Sequence, residues 1–280
     1  MNTTPSVITS GEKDEYIFRT GDPELVRLGY QHRVWAESLF ALWERAGVAP
    51  GMKMIDLGAG PGFCTVDLAH LVGPAGGVLA VDASERFLAH LRRKMAVEPL
   101  DNVETLECDA QTLDLPPASF DGAVARWLLC YLSDPLAALT GVASALKPGG
   151  VFTIQDYSNY RAIDVAPRSK AFSRVIEAVS KMWRDTGGDP DVGSHLPALL
   201  NRAGFDVREA TTVVRSARPG SALWDWPTVF FRNFVPIMVK EGCLTEAEQD
   251  AYFAEWAELS NNPNAVFSTP PMMDLIAVKR

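Results

Sequence analysis

From Met52 onward the chain alternates short apolar runs with amphipathic stretches. Met52–Leu57 reads as an apolar strand and Thr65–Val72 as a helix. Gly77–Val81 reads as a second strand, Glu85–Met95 as an amphipathic helix and Val103–Cys108 as a third strand. A fourth strand lies within Phe120–Trp127. Pro135–Leu146 is a helix stopped by Lys147-Pro148-Gly149-Gly150, and Val151–Gln155 is a fifth strand. This alternation predicts an α/β fold, a mostly parallel sheet with helices on both faces. Ligands of such sheets bind at the carboxyl ends of the strands.

Upstream, Asp22-Pro23-Glu24 has the form of a helix start: a cap, a proline in the first turn, and an acid near the positive end of the dipole. Leu25, Leu28, Trp35, Leu39 and Leu42 follow at helical spacing, and Gly47 and Pro50-Gly51 close the segment. After Asp156 the rhythm changes. Ala171, Phe172, Val175, Ile176, Val179, Met182 and Trp183 form a helical stripe that Gly187-Gly188-Asp189-Pro190 breaks. Leu196–Ala203 reads as a helix and Phe205–Val214 as a strand. Pro219–Pro263, rich in aromatics, reads as helices, one of them opened by a Thr245…Glu248 capping box, and Met272–Val278 is the last strand. Four regions are expected: a tail and helix over 1–50, a core over 51–156, a helical lid or substrate lobe with a late core helix and strand over 157–263, and a C-terminal strand over 264–280.

The 280 residues are 47% hydrophobic, enough for a sizeable core. A net charge of −9 argues against nucleic acid or an anionic membrane as partner. The cysteines Cys64, Cys108, Cys130 and Cys243 form no C-x-x-C pair. Buried free thiols in a reducing cytoplasm are expected, without disulfides or a metal site. The opening residues lack the basic and apolar regions of a signal peptide, and no apolar run reaches the ~18–20 residues needed to span a bilayer.

The sharpest local signal is Met54-Ile55-Asp56-Leu57-Gly58-Ala59-Gly60-Pro61-Gly62, a strand that delivers an acid and then a glycine-rich turn. The turn alone fits a nucleotide or no ligand at all. A dinucleotide fingerprint has the form G-x-G-x-x-G, and here Phe63 stands in the slot of its third glycine. That spacing weakens a nicotinamide-dependent oxidoreductase as the alternative. The second strand ends at Val81-Asp82-Ala83-Ser84 and the third at Cys108-Asp109-Ala110. A carboxylate at the first can accept two ribose hydroxyls, and one at the second can accept from an adenine amino group. Asp67, Asp114 and Asp121 read as surface or turn acids.

The run from Gly51 to about Asp156 resembles the class I S-adenosylmethionine-dependent methyltransferases, in the DLGAGPG loop, the VDAS and CDA acids, the FDGAV strand and the LKPGG turn. The leading helix with Gln31-His32 and the tail Ser268-Thr269-Pro270-Pro271 resemble the small-molecule members of quinone and natural-product pathways. The resemblance implies a seven-stranded, mostly parallel Rossmann-like sheet carrying a helical lid. It places Gly58, Ala59, Gly60 and Gly62 beside the methionine part of the cofactor, with Asp56 fixing its amino group. Asp82 and Ala83 would hold the ribose, Asp109, Ala110 and Gln111 the adenine. Arg126 and Trp127 would line the methionine side, with Gln31 nearby.

Tyr16 in the tail either closes over the cofactor or anchors the tail by packing. Tyr131, Tyr157 and Tyr160 follow strand ends and are candidate walls for cofactor and acceptor, and Gln155 and Asp156 candidates to hold a hydroxyl or amine. His32 is a candidate substrate contact, and His195 is either a general base or a helix cap. Trp224, Trp226, Phe230 and Arg232 are candidates for the acceptor pocket. The implied reaction is in-line methyl transfer to an O, N, C or S atom of a small, partly apolar molecule. A cofactor-binding relative without methyl transfer is the further alternative, and a homodimer is left open.

Overall fold

The computed structural model describes residues 22–98 and 100–280. Tyr16 lies outside them. Helix α1 (Asp22–Ala46) precedes β1 (Lys53–Leu57), α2 (Phe63–Val72), β2 (Gly77–Asp82), α3 (Glu85–Val97) and β3 (Val103–Glu107). Then come β4 (Phe120–Arg126), α4 (Pro135–Ala145) and β5 (Leu146–Tyr157). The second half contains β6 (Asp164–Ala166), α5 (Lys170–Asp185), α6 (Leu196–Ala203), β7 (Phe205–Val213) and β8 (Ser216–Ala217). It ends with α7 (Ala222–Lys240), α8 (Glu246–Asn261), β9 (Val266–Ser268) and β10 (Met272–Lys279).

The main sheet has seven strands in the order β3-β2-β1-β4-β5-β10-β7. The first five run parallel, and β10 is antiparallel to both β5 and β7. β1 sits mid-sheet, so its Met54–Leu57 run is buried throughout, as expected for a strand covered on both faces. Leu57 stands opposite Val81 of β2 and Ala125 of β4. One residue further on, Gly58, Asp82 and Arg126 therefore leave the sheet at one edge. Asp82 stands opposite Glu107 of β3, which brings Asp109 to the same edge.

The β4–β5 junction departs from the sequence reading. Lys147–Gly150 is not only a helix stop: β5 already begins at Leu146, and the register against β4 slips between Phe120 and Gly122. Gly149, at φ 80°, is the residue that permits this bulge.

Helix α1 packs Trp35, Leu39, Leu42 and Trp43 into the core. A three-stranded sheet, β6-β9-β8, seats the late helices beside the main one. Their aromatics are mostly packing: Trp224 of α7 stacks on Trp256 of α8 at 4.9 Å between ring centroids, and Phe172 of α5 stacks on Trp256 at 5.7 Å. The capping box at α8 is formed as the sequence predicts, by Thr245 and Glu248. The four cysteines are free, two buried and two only half-buried. Among the described residues no helix is long and apolar enough to cross a membrane, and no group of three or more His, Cys, Asp or Glu could hold a metal ion.

Candidate active site

At the carboxyl edge of β1, β2, β3 and β4 a cleft of roughly 610 Å³ opens, within the ~300–1,000 Å³ typical of small-molecule sites. Gly58, Ala59 and Gly60 form one wall. Gly60 has φ 54°, and a Cβ built on it would meet nothing within 4 Å, so its bare backbone faces open space. Gly62 differs. It caps α2 at φ 83°, a Cβ there would lie 2.4 Å from Leu91 Cδ1, and it does not line the cleft. This glycine serves the packing of α3 onto the loop rather than a ligand.

Asp82 ties the loop to β2. Its Oδ2 accepts from the Gly60 N–H at 2.7 Å and its Oδ1 from the Ser84 N–H at 2.8 Å. Burial pushes its carboxyl above the usual range, and the two backbone donors pull against that push. Ala83 lies beside it in the cleft wall. Asp56 is almost fully buried at the cleft floor, where desolvation raises its carboxyl to about 6. The Thr65 hydroxyl donates to it at 2.6 Å and favours the charged form, whereas the charge of Asp82 opposes it. Asp109 caps the short turn Ala110–Thr112 by accepting from the Gln111 N–H at 2.8 Å. Gln111 is held in turn by donation from the Ser133 hydroxyl and the Asp134 N–H. Asp109, Ala110 and Gln111 all line the cleft.

Arg126 and Trp127, at the end of β4, close another wall of the cleft. Arg126 Nε donates to Gln155 Oε1 at 3.0 Å, and Nη1 lies 3.3 Å from His32 Nδ1. A guanidinium can only donate, so Nδ1 accepts and the ring proton sits on Nε2, which donates to Asp67 Oδ2 at 2.7 Å. Arg126 Nη2 is buried with no hydrogen-bond partner, and desolvation lowers the guanidinium to about 10. The guanidinium carbon stands 4.2 Å over the Trp127 ring. Trp127 holds the left-handed φ of 48°, rare for a bulky residue. Its N–H donates to the Gln155 carbonyl at 2.9 Å, which fixes the strained turn.

The residues expected to touch the acceptor divide. Tyr157, Tyr160 and Phe230 line a second, smaller chamber, together with Gln31 and Tyr131, which also line the larger cleft. His32 lies in the larger cleft instead, its ring stacked on Phe63 at 5.9 Å. Gln155 is fully buried behind Arg126, with its amide donating to Ser38 and Asp274, and is a strut rather than a wall. Asp156 is likewise committed, accepting from the N–H groups of Cys130 and Tyr157. His195 lines neither cavity. Its side chain is 65% exposed and sits 3.7 Å from Asp189, and it makes no side-chain capping bond to α6. Arg232 is exposed on α7, and Trp224 is buried in the helical layer, where its Nε1 donates to Ser260.

Three contributors escaped the sequence reading. Asp67, taken for a surface acid, orients His32. Trp183, taken for helical core, stacks on Tyr131 at 4.8 Å. Arg27 is buried and paired with Glu24 at 2.6 and 2.7 Å. Positions 24, 27 and 31 share one helical face with Trp35 and Leu39, and charged residues on an apolar stripe were the available signal.

A glycine turn whose backbone is tied to an acid on the neighbouring strand, set on a seven-stranded sheet in which only β10 runs antiparallel to its neighbours, defines a protein of the α/β methyltransferase class. Residues 49–211, over half the chain, match the family described as Methyltransferase domain, and the chain belongs to that family. It is 34% identical over 128 residues to the ubiquinone/menaquinone biosynthesis C-methyltransferase UbiE of Shewanella piezotolerans, covering 45% of this chain and 50% of that protein. The chain thus spans about half the length of the curated relatives it matches. Among solved structures it is similar to the [4+2]-cyclase SpnF (TM-score 0.57, 19% identity, 85% of this chain and 79% of that one). It is also similar to Haemonchus contortus phosphoethanolamine N-methyltransferase 2 in complex with S-adenosyl-L-methionine (TM-score 0.53, 20% identity, 88% and 52%). At these identities the structural likeness speaks for the fold alone.

Proposed function

We propose that the protein uses S-adenosylmethionine to methylate a small, partly apolar molecule. The observation that carries this reading is the Asp82 carboxylate, bound on one side to Gly60 N–H and Ser84 N–H and open on the other to the cleft. Each carboxylate oxygen has a lone pair left, which fits the two hydroxyls of a ribose. The other groups present fit the remaining parts of the same molecule. Asp109, Ala110 and Gln111 surround the space for an adenine. The buried charge of Asp56 suits an ammonium, and the unpartnered Nη2 of Arg126 suits a carboxylate.

When bound, the cofactor supplies a methyl group on a positively charged sulfur, reactive toward in-line displacement. The chain's part is alignment and exclusion of water. Trp127 and Tyr131 put aromatic side chains in the cleft wall, and aromatic rings beside a sulfonium favour its positive charge by cation–π attraction. No general base is assigned. The nicotinamide alternative has less support, because Phe63 fills the third-glycine slot and packs against His32. The four free thiols favour a reducing cytoplasm.

Titration calorimetry of the intact chain with S-adenosylhomocysteine tests the reading. Binding in the micromolar range is expected, weakened at least tenfold in Asp82→Ala. Enhanced fluorescence of reduced nicotinamide, with no response to S-adenosylhomocysteine, would reverse it.

A further inference from the structure

His32 stands in the wall of the larger cleft, between an acid and a guanidinium. On one side Asp67 of α2, which does not line the cleft, accepts from Nε2 at 2.7 Å. On the other, Arg126 of β4 reaches Nδ1 at 3.3 Å. The imidazole stacks on Phe63 with 5.9 Å between ring centroids and 23° between planes. Gly29, one turn earlier on α1, makes room for that stack, because a Cβ there would lie 2.8 Å from Phe63 Cζ. The ring is therefore fixed from three sides. Its Nδ1 is turned to Arg126, whose Nη2 is buried with no hydrogen-bond partner.

The two charged neighbours act on the ring in opposite senses. The Asp67 carboxylate favours an imidazolium and the Arg126 guanidinium opposes one. Nη1 and Nη2 belong to one planar fork, so an anion seated on Nη2 lies beside the imidazole as well. Such an anion offsets the repulsion from Arg126 and adds an attraction of its own. Of the other titratable groups packed here, Cys64 of α2 is held as a thiol by burial, and Asp56 of β1 acts on Arg126 and Cys64 from the cleft floor. Lys94 and His90 of α3 reach the Phe63 ring, at 5.4 and 6.5 Å.

We propose that His32 is a second ligand of the cofactor's carboxylate, which it binds as an imidazolium backed by Asp67, so that cofactor binding draws a proton from solvent. The inference rests on the methyltransferase reading above and on the place given there to the carboxylate at Arg126. The free protein holds His32 neutral, with its ring proton on Nε2 toward Asp67. On binding, Nδ1 takes a proton from water, Arg126 Nη1 gives up its contact with Nδ1, and the new N–H donates to the carboxylate. Asp67 stays ionised and keeps its bond to Nε2, so no proton is exchanged on that side. His32 is a binding residue, and Asp67 is a positioning residue that acts through it.

The test compares S-adenosylhomocysteine with decarboxylated S-adenosylhomocysteine, which keeps the adenosine and the amine and lacks the carboxylate. Both ligands carry the ammonium, so a proton released by Asp56 is common to the two. Imidazoles change charge between about pH 5 and 8, and an anion favours the charged form, so the carboxylate should gain affinity as pH falls. Calorimetry on the full chain should show the ratio of the two affinities rising about tenfold between pH 8 and pH 6. Titrations in buffers of high and low ionisation enthalpy should show more protons taken up with S-adenosylhomocysteine than with the amine. His32→Asn, whose side-chain oxygen can still accept from Arg126 but does not titrate, should give a flat ratio. Asp67→Asn keeps an acceptor for Nε2 and loses the charge, so the rise should move to lower pH. A ratio independent of pH in the unaltered chain overturns the inference, as does a rise that survives His32→Asn; an unchanged profile in Asp67→Asn overturns the part given to Asp67. If His32→Asn does not fold, the proton count of the unaltered chain and the Asp67→Asn profile decide. Failure of S-adenosylhomocysteine to bind at any pH sinks the methyltransferase reading instead.

Discussion

Replacing Arg126 by methionine separates two roles that one guanidinium holds at once. The side chain braces His32 and Gln155 through Nη1 and Nε, and Nη2 is buried with no acceptor. A buried donor left unpaired costs about 1–3 kcal/mol, and a hydrogen bond to a charged group contributes about 1.5–3 kcal/mol. If a carboxylate of the cofactor relieves that unpaired donor, Arg126→Met forfeits about 3 kcal/mol of binding, roughly a 100-fold loss. The same change also loosens the brace, so affinity for the full ligand alone would not isolate the contact. 5′-Methylthioadenosine, which has the adenosine and lacks the amino-acid carboxylate, provides the control. Calorimetry should show S-adenosylhomocysteine weakened about 100-fold and methylthioadenosine by less than about 3-fold. A parallel fall for both ligands would mean that Arg126 acts only by bracing the wall. No fall for either would refute the placement of the cofactor's carboxylate here.

Two further expectations concern the loop and its floor. Asp56 is raised to about 6 when folded, so the native state holds a proton that the unfolded chain releases between about pH 4 and 6. Its contribution is present in full below that window and is lost as pH rises through it, by about 3 kcal/mol. Asp56→Asn should therefore flatten the decline in urea-unfolding free energy between pH 4 and 6, with Asp156 keeping its own share; parallel profiles for the two proteins would contradict the desolvation argument. The glycines should part company under alanine substitution. Gly62→Ala drives a Cβ to 2.4 Å from Leu91 in a left-handed conformation and should cost about 3 kcal/mol of stability. Gly60→Ala meets open space and should cost only about 1 kcal/mol, yet weaken S-adenosylhomocysteine binding by occupying the face it approaches; equal stability losses in the two variants would remove the distinction.

How much of the site could be read in advance follows from the range of the signals. Asp56, Asp82 and Asp109 were legible because each lies at or beside the carboxyl end of a strand. Parallel strands in register turn such positions into neighbours, as the pairing of Leu57 with Val81 and of Asp82 with Glu107 illustrates. Gly62 was harder, because a glycine that serves a helix contact and one that serves a ligand look alike in sequence. Gln155 looked like a substrate residue from its place at a strand end, and its burial behind Arg126 depends on β10, whose Asp274 it reaches across 119 positions.

Amino-acid order by itself determined the alternating strands and helices, the glycine turn, the acids at the strand ends and the cap of α8. Each is a matter of local conformation or of a short repeat in polarity, and needs no knowledge of distant residues. Tertiary structure alone decided that Gln31 of α1 meets Trp226 of α7, which lies 195 positions away. It also set His195 on the surface and made Asp67 the partner of His32. Contacts of that kind depend on how whole helices dock on the sheet, and that docking follows from the fit of many side chains together.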